Sequence, residues 1–313
     1  MTDLPTRRPT VRLGQNQYGK AENRVVRVYR DTPRHQIRDL NVSTSLRGSF
    51  EDAHVTGDQA DVLPTDTQKN TVFAFAKEKG VRSLEEYGLS LADHFLASAP
   101  AADGARVEVD EYAWERIPVD GAGHDHSFVR SGGGVRTTVV NVDGRGDDRA
   151  AYVVSGIKDL VVLKSTGSEF HGYLKDRFTT LPETNDRILA TSLVVRWRYE
   201  TSAVADGGID WDKSFDSIRA LLLQKFAEIH SLALQQTLYG MGEAVLEQHH
   251  EVAEIKFSAP NKHHFLVDLS PFGIDNPGEV FFAADRPYGL IEAVVVRDDA
   301  SDAGSAWHAT PGF

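Results

Sequence analysis

The residues able to do chemistry fall in four short segments. Tyr18-Gly19-Lys20 sets an amine just ahead of the strand-like run Arg24–Tyr29. Pro64-Thr65-Asp66-Thr67-Gln68-Lys69-Asn70-Thr71 is a dense polar run leading into a helix. Leu163-Lys164-Ser165-Thr166-Gly167-Ser168-Glu169-Phe170-His171-Gly172-Tyr173 continues through Phe178 and Leu181 to Arg187. Pro260-Asn261-Lys262-His263-His264-Phe265 lies between two strand-like runs. Amines and imidazoles are groups that move protons, and a planar guanidinium suits an anion. Taken singly, each segment reads equally well as a loop, and a Thr or Asp before a helix, as at Thr65 and Asp66, is usually just its cap.

Other familiar chemistries fail on inspection. With no cysteine, disulfides, thiolate metal sites, iron–sulfur clusters and cysteine nucleophiles are excluded. His124-Asp125-His126 has a spacing that could turn two rings toward a metal. His250-Glu251-Val252-Ala253-Glu254 resembles a zinc-binding helix, but Glu254 stands where the second histidine belongs. For these and for His263-His264 the reading preferred is a histidine satisfied by its neighbours. Gly240-Met241-Gly242 and Gly121-Ala122-Gly123 lack the third glycine of a dinucleotide loop. Gly132-Gly133-Gly134 precedes no Lys-Ser/Thr pair and reads as a hairpin turn, and Arg145-Gly146-Asp147 as a polar turn.

Regular elements must hold these segments. Leu40, Val42, Thr44 and Leu46 alternate with polar residues, the period of a half-buried strand. Arg106–Asp110, Val135–Val142, Leu160–Leu163 and Arg196–Tyr199 read as further strands, punctuated by Asp120-Gly121 and Asp143-Gly144. A helix is predicted from near Asp66 to Lys79, stopped by Gly80. A second opens on the capping box Ser83-Leu84-Glu85-Glu86 and presents Leu84, Tyr87, Leu91 and Phe95 on one face. Two more are predicted over Trp211–Ala227 and Ser231–His249, the last with a stripe of Leu238, Met241, Val245 and Leu246. Strands, two helices and strands thus occur twice. The pattern predicts an α+β unit used in tandem, joined near Gly144–Arg149, each unit an antiparallel sheet covered on one face by two helices. A sheet with a bare face and free edges invites assembly.

The 313 residues carry 34 Lys+Arg against 46 Asp+Glu, a formal charge of −12, with 41% hydrophobic and 26% charged residues. That balance is of a soluble globular protein and opposes general nucleic-acid or anionic-membrane binding. No secretory signal, transmembrane run, peroxisomal tripeptide or ER-retention tail is recognisable, so a cytoplasmic protein is expected. The first dozen residues and the stretch from about Asp298 to Ala306 are expected to be mobile.

Together the four segments resemble the urate oxidase family. Leu160 to Arg187 matches, without a gap, that family's aliphatic strand, Lys-Ser-Thr-x-Ser-x-Phe, then aromatics, a leucine and an arginine. Tyr-Gly-Lys, Thr-Asp-x-x-Lys-Asn-Thr and Pro-Asn-Lys-His follow in the family's order, and Trp114–Arg130 also resembles it, so the likeness spans about Gln15 to Val296. It implies two tandem tunnelling-fold units, at 15–146 and 147–300, flanked by an N-terminal extension (1–14) and a C-terminal tail (301–313). It further implies a homotetramer enclosing a barrel, with active sites at subunit interfaces. The implied reaction converts urate and O2 to 5-hydroxyisourate and H2O2 with neither metal nor organic cofactor.

By the same resemblance, Arg187 and Gln235 clamp opposite edges of the purine and Phe170 stacks beneath it. Asp66 and Leu234, the latter often valine in the family, offer backbone groups. Lys20, Thr65 and His263 form a proton relay, and Asn261 with Thr65 holds O2 and later water above the ring. Threonine alone is a poor base; a nearby ammonium would ease its deprotonation, or a neutral Lys20 would act through it. Lys20 and Thr65 are implied to come from one subunit and Phe170, Arg187, Gln235, Asn261 and His263 from its neighbour. Lys20, Arg187 and oriented amides would then form a positive pocket in an acidic surface. The rival readings are a metal-dependent pterin or purine hydrolase of the same fold and a non-catalytic purine binder.

Overall fold

The computed structural model describes residues 11–308. The first ten residues, and with them most of the expected extension, lie outside the described residues. In the first half run β1 (Tyr18–Tyr29), β2 (Gln36–Gly48), α1 (Glu51–Val55), α2 (Thr65–Glu78), α3 (Leu84–Ser98), β3 (Ala102–Glu111), β4 (Trp114–Val119), β5 (Ala122–Arg130) and β6 (Val135–Asp143). The second half repeats the plan: β7 (Ala150–Lys164), β8 (Leu189–Tyr199), α4 (Thr201–Asp206), α5 (Trp211–Glu228), α6 (Leu234–Gln248), β9 (Val252–Asn261), β10 (His264–Leu266), β11 (Phe281–Ala283) and β12 (Gly289–Val296).

Eight strands form one antiparallel sheet in the order β1-β2-β3-β6-β7-β8-β9-β12. The fold is α+β, as expected, but the two four-stranded halves fuse edge to edge, because β6 pairs with β7 from Val135↔Lys158 to Asp143↔Ala150. Asp120 (φ 51°) and Gly121 (φ 80°) both take the left-handed backbone that a two-residue hairpin needs, and they close β4 on β5. The three glycines at 132–134 do not turn a hairpin: they carry the chain from β5 in that small ribbon to β6 in the main sheet. Arg145 donates to the carbonyls of Leu96 and Ala99 at the end of α3 and of Ala102 at the start of β3, satisfying acceptors there.

On one face, Leu40, Val42, Val107, Val140, Val153, Leu193, Val195 and Ile255 are buried beneath the helices. The predicted α3 stripe, Leu84, Tyr87, Leu91 and Phe95, is buried against them, as are Leu238, Met241, Val245 and Leu246 of α6. Each such large side chain contributes about 1.5–3 kcal/mol by leaving water. Ser83 Oγ accepts from Glu86 N at 3.1 Å, forming that half of the capping box. One cap reading and one helix start differ from expectation. α2 begins at Thr65 with Pro64 at its N-cap, so neither Thr65 nor Asp66 caps it. α6 begins at Leu234, because Ser231 is drawn into a bridge with Ser168 instead.

The opposite sheet face is polar, carrying Arg106, Asp110, Asn141, Arg198 and Glu254. The segment expected to be mobile crosses it and is anchored. Ser305 and Ala306 are buried, Ala306 against Val139 and Val154. Arg198 donates to Ser301 Oγ and O at 3.1 and 2.8 Å, and Trp307 Nε1 donates to Glu254 Oε1 at 2.8 Å. Arginine and carboxylate on the sheet face give this Ser- and Gly-containing stretch partners that composition alone cannot show. Among the described residues, no helix is long and apolar enough to cross a membrane.

Candidate active site

The first two segments meet at the start of β1. Gly19 is required there: a Cβ would fall 1.8 Å from the Thr44 carbonyl oxygen, so only glycine lets β1 approach β2. Lys20 follows, its N–H directed at Thr44 Oγ1 at 3.4 Å, just before a bulge between Lys20 and Asn23. Thr44 Oγ1 donates to Gln68 Oε1 at 2.8 Å, a buried link that fastens the first turns of α2 to the sheet. Thr65 is thereby placed half-buried at the helix start, with exposed Asp66 beside it. Asp66 pairs with Lys69 and accepts from Asn70 at 3.0 Å. Those bonds, Lys69 first, hold its carboxyl below the usual range, and the charge of Lys20 adds to the effect.

The long motif forms a compact loop between β7 and β8. Ser168 and Ser231 are fully buried and bridge the loop to the segment entering α6. Glu169 N donates to Ser231 O at 2.8 Å and Ser231 N to Gly167 O at 2.9 Å. Thr237 Oγ1, one turn into α6, donates to Ser231 Oγ at 2.8 Å. Arg187 returns to the same place: its N–H donates to Ser168 O at 2.9 Å and its Nε to Ser168 Oγ at 3.3 Å. Its guanidinium carbon sits 5.1 Å from the centroid of the Phe170 ring, within cation–π range. Burial alone lowers the Arg187 pKa from its ordinary value; the group remains charged. Phe170 is itself pinned by paired backbone bonds with Thr184 (2.8 and 3.0 Å) and stacks on Tyr173 at 4.7 Å and 16°.

Leu234 is buried as the first residue of α6, so only its backbone can face a ligand; Gln235 follows it, exposed. Asn261 ends β9, paired with Thr191 of β8 and Gly289 of β12, and Lys262 N donates to Ala190 O at 2.8 Å. His263 follows, its ring 5.8 Å from that of Phe265. The end of β7, the start of β8 and the end of β9 share one end of the sheet, so Phe170, Arg187, Leu234, Gln235, Asn261 and His263 gather there. Ser168 and Tyr173 lie within the long motif but carry no assigned role in the sequence reading, and Ser231 lies outside it. The aromatic spacing after Phe170 hinted at Tyr173, but nothing in sequence pairs Ser168 with Ser231.

Lys20, Thr65 and Asp66 lie at the other end. Register carries Lys20 across to Thr44, Val107, Val140 and Val153 in turn. Lys164, level with Leu189, stands eleven residues further along β7. At about 3.3 Å per residue the two groups are more than about 30 Å apart along the strands, with further strands between them. Among the described residues, no hydrogen bond, ion pair or ring contact joins them.

Among the described residues, neither histidine spacing forms a metal-ligand cluster. The rings of His124 and His126 meet edge to face at 4.5 Å, and among the described residues no group of three His, Asp or Glu is arranged to hold a metal ion. His249 engages Ser217 and Glu251, and Glu254 engages Arg198.

Comparison with known proteins follows the same outline. The profile of a family described as Uricase matches residues 16–141 and 153–292. The chain is 54% identical over 301 residues to the uricase of Arthrobacter globiformis, covering 96% of this chain and 95% of that one. It is 37% identical over 285 residues to that of Oryctolagus cuniculus, covering 90% and 93%. The crystal structure of the Arthrobacter globiformis uricase superposes with a TM-score of 0.87, covering 94% of this chain and 98% of that one at 54% identity. A uricase from Bacillus fastidious gives 0.78 at 26% identity, covering 90% and 93%. The chain belongs to the uricase family.

Proposed function

We propose that this chain oxidises urate with O2 and water to 5-hydroxyisourate and H2O2, at a site completed between two subunits. As a member of the uricase family the protein is an enzyme, a urate oxidase. The observation that carries the finer reading is the pairing of Arg187 with Phe170 on a loop laced to the start of α6, which brings a guanidinium fork, a flat ring and Gln235 to one place. Urate is a flat anion edged with amides. Phe170 stacks under it, Arg187 takes its anionic edge in two parallel bonds, and Gln235 pairs with the opposite amide edge. Leu234 and Asp66 add backbone groups.

Such a grip orients the ring so that a proton can leave toward Thr65 and Lys20, with His263 as the third member of the relay. The electron-rich dianion then passes two electrons to O2 held by Asn261 and Thr65. Water adds at the oxidised carbon, and the two protons needed for H2O2 come from urate and that water. No metal or organic cofactor takes part.

The separation of the two residue groups within one chain supports the shared site, since a neighbour must bring Lys20 and Thr65 to Arg187. Open edges at β1 and β12, with exposed Val26, Leu290, Val294 and Val296, support closure of four chains into a homotetrameric barrel.

The deciding assay follows urate absorbance and peroxide release in the presence of a chelator. One peroxide per urate is expected. Activity lost to the chelator and restored by zinc would indicate a metal-dependent hydrolase, and urate binding without turnover a non-catalytic binder.

A further inference from the structure

Glu169 fills the variable position between Ser168 and Phe170 in the Lys-Ser-Thr-x-Ser-x-Phe run. Its side chain is only 19% exposed, and its carboxylate divides its two oxygens between two histidines. Oε2 meets Nε2 of His171 at 2.7 Å and Oε1 meets Nε2 of His230 at 2.5 Å. His171 follows Phe170 on the loop, whereas His230 opens the connection leading through Ser231 to Leu234 and Gln235. Lys164 Nζ reaches the same connection, donating to Ile229 O at 2.6 Å, and Glu183 accepts from Gly172 N at 3.3 Å beside Lys175.

Exposed ion pairs ordinarily add little stability, and both histidines are about half exposed. Location is what sets this cluster apart. It joins the element bearing Phe170 and Arg187 to the element bearing Gln235. We propose that Glu169 is a positioning residue: by holding His171 and His230 it sets the distance between the Phe170–Arg187 face and Gln235, and so the affinity for the flat purine anion. This deepens the urate reading above and depends on it.

The test is a double-mutant cycle on the full-length protein, E169A, H230A and E169A/H230A. Urate affinity is measured by calorimetry without oxygen, and kcat and KM in air. Each single change is expected to weaken urate binding and raise KM about three- to tenfold, the scale of one ordinary net hydrogen bond, with kcat little altered. The double variant is expected to be no weaker than either single, because the two residues act through one contact. E169Q, which keeps the shape and one acceptor oxygen, should recover part of the affinity; if E169A does not fold, the cycle is run with E169Q. Unchanged affinity, additive losses, or a fall confined to kcat would overturn the proposal. Urate bound without oxygen yet not oxidised in air would defeat the urate-oxidation reading alone, and the affinities would still decide this one.

Discussion

In the proposed reaction Arg187 and Thr65 do different work, so their variants should separate binding from chemistry. Arg187 offers a planar fork held by Ser168 and aligned over Phe170. Lysine keeps the charge and loses the fork, so Arg187→Lys is expected to weaken urate binding by about 10- to 100-fold, the scale of one charged hydrogen bond. Near-normal affinity in a titration without oxygen would remove Arg187 from the clamp. Thr65 opens α2 with Pro64 in the capping place, so its hydroxyl is not committed to the helix end. Thr65→Ala is expected to lower kcat by about 10²- to 10⁴-fold with little change in KM, the mark of a proton-transfer group. Steady-state kinetics showing a change in KM alone would count against the relay.

Two element-level contacts hold the halves and the tail in place. Across the join, Asp212 at the start of α5 receives Arg136 of β6 at 2.6 Å and Arg38 of β2 at 2.7 Å. Burial by itself would raise the Asp212 pKa, but the two guanidinium groups outweigh it and hold the carboxyl below its ordinary value. Protonation therefore favours the unfolded chain. This stability is present above the unfolded carboxylate range, about pH 3.9, and lost as pH falls through the lower folded value. Arg38→Gln is expected to move acid unfolding, followed by circular dichroism, to higher pH; an unmoved midpoint would show the bridge to be idle. The tail depends on Trp307, which bonds Glu254 and lies over Lys256, 3.6 Å from Nζ to the ring centroid. Trp307→Ala is expected to cost about 2 kcal/mol, combining a hydrogen bond to a charged group with lost aromatic burial. Its Tm should fall while kcat/KM for urate stays as it was, and an unchanged melting curve would mean the tail is not anchored there.

For the whole molecule, the proposed shared site, read from the distance between Lys20 and Arg187, would make activity a property of the assembly. Lys20→Ala and Arg187→Ala chains should each be inactive alone. Co-expressed, they should regain activity at about a quarter of the sites, those where an intact first half meets an intact second half of a neighbour. Continued silence of the mixed assembly, with both chains shown to be present in it, would place every catalytic group on one chain. The acidic surface does not oppose this, because the field at a site is set by the charges gathered there.

Local pattern in the sequence was enough for the alternation of β2, the buried stripe of α3 and the Asp120-Gly121 hairpin, since each depends on neighbours a few residues away. The motif from Lys164 to Arg187 was also legible, because residue types at fixed spacing mark a family. Long-range partners were not. The Ser168–Ser231 bridge, the anchoring of Trp307 on Glu254 and the placing of Lys20 and Arg187 at opposite ends of the sheet all depend on residues far apart in the chain. Short-range periodicity carries no term for such pairs. Only the folded sheet, through its register, decides which of them meet.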